Sequence, residues 1–380
     1  MTFDDLVTPC LLLDRDRMTA NVKAMAARMD RLGGTLRPHV KTHKSIDVWR
    51  AVQEHGTVIG ATVSTLAEAA TFFEHGVVDI LYGVGISPNK CAAAADLVKR
   101  GCKLTVTLDS VEMAHALADA GSAFGVTYPV LIELDVDGHR AGVDPSGPEL
   151  IEIADILTGS DCTVLKGVMT HAGESYACVT PESLLHAAHT ERDLTVAAAE
   201  RLRAAGYPCP EVSIGSTPTA CVIDDLTGVT EVRPGVYTFF DLVMRGVGVC
   251  RMDDIALSVL TTVIGHQKAR GWILTDAGWM ALSRDLGTAS QAVSYGYGQV
   301  CDISGQPMDG LIVSKGNQEH GILAMRDGSM PDLEAFPIGT KLRILPNHAC
   351  ATAAQHSHYH VLEGGRLTQS WPRCQGWAAA

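Results

Sequence analysis

From its start to about residue 240 the chain keeps one rhythm, in which short β-branched or leucine-rich runs alternate with longer alanine-rich stretches. The runs are CLLLD at Cys10–Asp14, then TLRPHV, TVIGATV, DILYGV, KLTVTLD, PVLIELDVD, TVLKGVMTH, EVSIGS and EVRPGVYTF. The stretches between them, such as MTANVKAMAARMDRL and STLAEAATFFEHG, carry apolar residues at helical spacing and mostly stop at glycine. About eight βα units predict a closed parallel (β/α)8 barrel. An open nucleotide-binding sheet would carry a glycine fingerprint in its first βα turn, and none follows CLLLD.

After about residue 245 the rhythm changes. ALSVLTTVIGH, GWILTDAG, QVCDI, LIVSKGN, KLRILPNHAC and HYHVLEGGRLTQSW read as strands separated by Gly, Asp and Pro turns. The expected layout is a barrel over 1–245 and a smaller β-rich domain over 246–380, with the boundary near MRGVGVCRMDD. Hydrophobic residues at 46% against charged residues at 19% are enough to build such cores. The net charge of -13, without long like-charge blocks, argues against a nucleic-acid partner. Eleven scattered cysteines, odd in number and without a CxxC pair, fit reduced thiols in a cytoplasmic protein. Neither a secretory leader nor an apolar run of membrane-spanning length is evident.

In a parallel barrel, function gathers where strands end. Those ends hold Lys41, Ser64–Thr65, Asp109, Asp137 with His139 and Arg140, His171, Gly215 with Ser216 and Thr217, and Tyr237. Lys41 follows Val40 and lies close in sequence to Arg37, His39, His43 and Lys44. Neighbouring cations and partial burial favour an uncharged amine suited to Schiff-base chemistry, and on these grounds Lys44 competes with Lys41. SIGSTPT and RPGVY, at successive late strand ends, offer small residues and hydroxyls for a phosphate, with Gly235 and Tyr237 in the second segment. In PNHAC, His348 and Cys350 stand two apart; on a strand they would share a face, and imidazole with thiolate suits zinc. His320 in NQEHG is a candidate third ligand. HSHYH fits one face of an ordinary strand, and DVDGH lacks the spacing of a calcium loop.

These residues resemble the fold-type III pyridoxal-phosphate enzymes, in the branch of eukaryotic-type D-serine dehydratase and bacterial D-threo-3-hydroxyaspartate dehydratase. The stretches that carry the likeness include TPCLLLD, LRPHVKTHKS, DGHRAGV, THAGESY, VSIGSTPTA, VRPGVYTFFDL, DAGWMALSRD and ILPNHACATAAQH, and they span nearly the whole chain. The resemblance implies an alanine-racemase-like barrel followed by a β domain, working as a homodimer. It implies Lys41 as the cofactor lysine, His171 packing on the cofactor ring, Tyr176 in the active site, Arg140 near the phenolic oxygen and Arg233 near the pyridine nitrogen. It also implies His348 and Cys350 as ligands of a divalent metal: zinc, with manganese or cobalt as alternatives. Related D-threonine and 3-hydroxyaspartate aldolases resemble an HxD pattern where this chain has HAC, which favours β-elimination over retro-aldol cleavage.

The expected chemistry is loss of the β-hydroxyl from a D-3-hydroxy amino acid, giving a 2-oxo acid and ammonia. Lys41 would act as base and the metal would assist the leaving hydroxyl. A racemase would leave the metal pair without a task, and a cofactor-carrier protein of the same barrel would lack the second domain. A substrate with a second carboxylate needs an extra cation, and Arg284 in ALSRD is the candidate.

Overall fold

The computed structural model describes residues 2–377. Its chain forms two compact units, one of residues 24–235 with 374–377 and one of residues 2–23 with 236–373.

The first unit is built on seven parallel strands in chain order: Ala61–Val63, Asp79–Gly85, Lys103–Leu108, Tyr128–Leu134, Thr163–Thr170, Glu211–Ile214 and Glu231–Val232. Most of their inward and outward side chains are buried, so these strands read as apolar runs rather than alternating ones. The connecting helices bury residues three or four apart, as in Ala69 and Phe72, Ala94 and Leu97, Ala114 and Leu117, or Ala198 and Leu202. That stripe is what the sequence spacing encodes. Thr65 and Ser110 cap two helix starts by accepting the amides of Glu68 and Met113, and Gly125, at φ 64°, ends the helix Val111–Phe124.

The sheet curls, and the TLRPHV segment joins its two edges. Arg37 donates its amide to Val232 (3.0 Å) and Val232 donates to Thr35 (2.8 Å), while Val40 and Thr62 bond across the other side through Val40 N–H to Thr62 O (2.8 Å) and Thr62 N–H to Pro38 O (2.9 Å). Leu36 bridges Val232 and Val58, both in parallel. TLRPHV thereby closes the curl, bridging the first and last of the seven parallel strands.

The second unit carries a nine-stranded sheet. In spatial order its strands are Trp272–Thr275, Gly321–Met325, Pro307–Gly316, Gly298–Cys301, Lys341–Pro346, Leu257–Gln267, Cys10–Asp14, His358–Glu363 and Arg366–Pro372, and the first also pairs with Leu257–Gln267. Two sequence expectations are corrected here. CLLLD, expected to open the barrel, pairs antiparallel with Leu257–Gln267 (Cys10 opposite Leu260) and parallel with His358–Glu363 (Leu12 opposite His360). PNHAC does not continue its strand: the strand stops at Pro346, and His348 precedes a short helix over Ala349–Ala353. HSHYH feeds the strand His358–Glu363, with His358 and His360 on one face and their Nε2 atoms 3.2 Å apart.

Candidate active site

Lys41 lies half-buried in the turn after Val40. The Val40 carbonyl accepts the amides of His43 (3.1 Å) and Lys44 (2.7 Å), which tightens the turn and holds Lys44 at φ 47°. Lys44 sends its ammonium to the buried carboxylate of Glu68, 2.9 Å away. Glu68 also accepts the amide and hydroxyl of Ser64, at 2.8 and 2.9 Å. An ammonium engaged this way is a poor candidate nucleophile, which counts against Lys44.

Two imidazoles share the electrostatic surroundings of Lys41. Burial, then the positive charges of Lys41 and Arg233, hold His39 well below the usual histidine range. Burial, then Lys41 and Arg140, do the same to His171. Both rings are therefore uncharged near neutral pH. The His171 Nδ1 lies 3.0 Å from the Gly215 carbonyl, which can only accept, so Nδ1 carries the hydrogen and Nε2 the lone pair. The Tyr176 ring is 6.2 Å from that of His171, tilted by 45°. Arg140 stands 3.7 Å from the buried Glu133, whose pKa is raised chiefly by burial. Arg233 is committed to structure, donating to the Ser213 hydroxyl and the Thr170 carbonyl.

The small-residue turn follows the strand Glu211–Ile214. Gly215 has φ 133°, and a Cβ there would lie 2.6 Å from the Arg233 nitrogen; at Gly235 it would lie 3.1 Å from the His39 carbonyl. Only glycine leaves room at the first. The Ser216 hydroxyl accepts the Thr219 amide at 3.3 Å and sits 2.9 Å from that of Ser175, while Gly235 donates its amide to Thr217 at 3.2 Å.

One residue that organises this region was missed in the sequence. Glu191, in the helix Pro181–Ala204, accepts the amides of Ala172 (3.0 Å) and Gly215 (3.1 Å) on Oε1, and its Oε2 is buried. It ties the strand end of His171 to the turn of Gly215. The signal was an acid on the helix's apolar stripe, between Ala188 and Thr195.

In the second unit, the His348 Nδ1 lies 2.6 Å from Asp285 Oδ2. Burial lowers the His348 pKa, but the charge of Cys350 and hydrogen bonds to Asp285 and Cys350 outweigh it and bring it to about 11. Asp241 accepts the Ala349 amide at 2.8 Å, and Asn347 donates to the carbonyls of Asp285 (3.1 Å) and Gly296 (2.6 Å). The helix turn, rather than a shared strand face, brings His348 and Cys350 together. Among the described residues no group of three or more His, Cys, Asp or Glu side chains is placed to hold a metal, so His320 does not complete a set. Tyr237 is fully buried in this unit, its hydroxyl without a partner among the described residues and its pKa raised by burial.

Chemically, the barrel residues fit pyridoxal phosphate: an amine, two uncharged imidazoles, and a glycine cradle lined with hydroxyls. His348 and Cys350 fit a borderline-soft divalent ion, with Asp285 as the carboxylate that orients the histidine ligand.

Comparison with known proteins agrees with both units. Residues 13–243 match the alanine racemase N-terminal domain, and residues 256–362 match a putative serine dehydratase domain. The chain is 53% identical to D-threo-3-hydroxyaspartate dehydratase of Delftia sp. (strain HT23), covering 98% of each protein. It is 32% identical to D-serine dehydratase of Dictyostelium discoideum over 94% of each. A cysteine-to-alanine variant of D-threo-3-hydroxyaspartate dehydratase, solved in a metal-free form, superimposes with a TM-score of 0.97 at 52% identity, over 99% of this chain and all (100%) of that one. The chain belongs to the fold-type III pyridoxal-phosphate enzymes, in their D-threo-3-hydroxyaspartate dehydratase and D-serine dehydratase branch.

Proposed function

We propose that this enzyme is a homodimeric dehydratase dependent on pyridoxal phosphate and a divalent metal, acting on D-threo-3-hydroxyaspartate to give oxaloacetate and ammonia, with D-serine to pyruvate as a related activity. The observation that carries the reading is His348 and Cys350 within hydrogen-bonding reach of each other, with the imidazole oriented by Asp285. When bound, pyridoxal phosphate supplies the electron sink for a carbanion next to the amine, and the metal supplies Lewis acidity toward the departing hydroxyl.

The chain's own residues do the rest. Lys41 would hold the cofactor through Nζ, and the same amine, when free, would accept the α-proton. His171, its Nδ1–H fixed on Gly215, offers a flat uncharged face to the cofactor ring, and Tyr176 stands beside it. Arg140 serves the phenolic oxygen. Gly215, Ser216, Thr217 and Gly235 would receive the phosphate. Asp285 holds the His348 Nδ1 side, so Nε2 is the nitrogen that would bind the metal, together with the Cys350 sulfur.

Treatment with a chelator is expected to suppress 2-oxo acid release while the visible absorbance of bound cofactor persists, and zinc or manganese is expected to restore turnover. Undiminished turnover without metal would remove His348 and Cys350 from the chemistry.

A further inference from the structure

In 3-hydroxyaspartate the second carboxylate sits on the same carbon as the hydroxyl that leaves. Under the dehydratase reading, a side chain that binds this carboxylate must lie within its own length of the His348 and Cys350 pair. We propose that Arg284 is that side chain and that it selects 3-hydroxyaspartate over D-serine; the proposal rests on the function inferred above.

Arg284 directly precedes Asp285, whose carboxylate holds His348 at 2.6 Å, and consecutive Cα atoms are only about 3.8 Å apart. The backbone leading into it is fixed in an uncommon conformation. Ser283 has φ 76° and ψ 162°, is buried, and accepts the Asp285 amide on its hydroxyl at 3.0 Å. Such positions persist where the surroundings over-determine them, and they gather at functional sites. The guanidinium is steadied in turn, its central carbon 5.2 Å from the centre of the Trp279 ring. A guanidinium held over an aromatic ring keeps N–H groups free for a planar anion such as a carboxylate, which accepts them in bidentate fashion.

Charge points the same way. The chain carries 43 acidic residues against 30 lysines and arginines. Yet among the described residues Arg284 is exposed and has no carboxylate within ion-pair distance. A pre-positioned and uncommitted cation beside the residue that orients His348 is what a second carboxylate requires. D-serine, with only hydrogen in its place, has nothing to offer it.

The test compares wild type, Arg284→Ala, Arg284→Lys and, as a charge control, Arg270→Ala, whose arginine stacks on Trp272 at 4.7 Å. For Arg284→Ala, kcat/KM on D-threo-3-hydroxyaspartate is expected to fall on the order of 100-fold, mostly through KM, and that on D-serine by no more than about 3-fold. Arg284→Lys should fall between, and Arg270→Ala should match wild type on both substrates. Calorimetric titration gives a readout free of turnover: succinate should bind Arg284→Ala more weakly than wild type, with acetate affinity unchanged. Equal losses on the two substrates, or unaltered succinate affinity, would overturn the assignment. Absence of any 2-oxo acid from wild type would defeat the dehydratase reading instead, and the succinate titration would still decide on Arg284.

Discussion

At the scale of single residues, function depends on which of several similar groups is tied into structure. Lys41 and Lys44 look alike in PHVKTHK, and local physics alone does not divide them; Glu68, on the helix Leu66–Glu74, engages Lys44. Lys41→Ala should abolish borohydride-fixable cofactor, whereas Lys44→Met should keep it and lose about 3 kcal/mol of stability by stranding Glu68. Fixation in the first variant, or its loss in the second, would reverse the assignment. Glu191→Ala should weaken cofactor affinity by about 10-fold or more, with Glu191→Gln close to wild type because an amide oxygen can still accept both backbone amides. His171 gives a pH signature. Its pKa is lowered on folding, so below about pH 6.5 the unfolded chain binds a proton that the folded one refuses. Its contribution is whole above that pH and is lost as pH falls toward the depressed folded value. Between pH 7.5 and 5.5 wild type should therefore lose more denaturant resistance than His171→Gln, and parallel losses would show that His171 is not held neutral.

At the scale of elements, the alternation of runs and amphipathic stretches made the barrel legible, since a parallel barrel leaves that rhythm in its sequence. CLLLD was assigned to the wrong sheet for a physical reason. Leu11, Leu12 and Leu13 are all buried, and a strand covered on both faces reads the same in either sheet. The choice was made by pairing across some 250 residues with Leu257–Gln267 and some 350 with His358–Glu363. Leu12→Ala should cost roughly 2–5 kcal/mol, read as a lower urea midpoint. A loss below about 1 kcal/mol would mean that the strand is not central to its sheet. His348 and Cys350 were found for their chemistry, but their backbone was misread. A two-residue spacing suits a strand, and only the chain's turn after Pro346 into Ala349–Ala353 shows that a helix start joins them.

At the scale of the whole molecule, each unit supplies its own chemistry. The barrel unit gathers an amine, two uncharged imidazoles and a glycine cradle, and the sheet unit presents an oriented imidazole with a thiol. The chain matches the alanine racemase N-terminal domain over residues 13–243 and a putative serine dehydratase domain over 256–362, which is why it reads as a dehydratase rather than a racemase. The most direct test is to supply the purified protein, with pyridoxal phosphate and zinc or manganese, with D-threo-3-hydroxyaspartate and D-serine side by side and to identify the products. Oxaloacetate and ammonia released faster than pyruvate are the predicted result. Glyoxylate and glycine from the first substrate, or no 2-oxo acid from either, would contradict it.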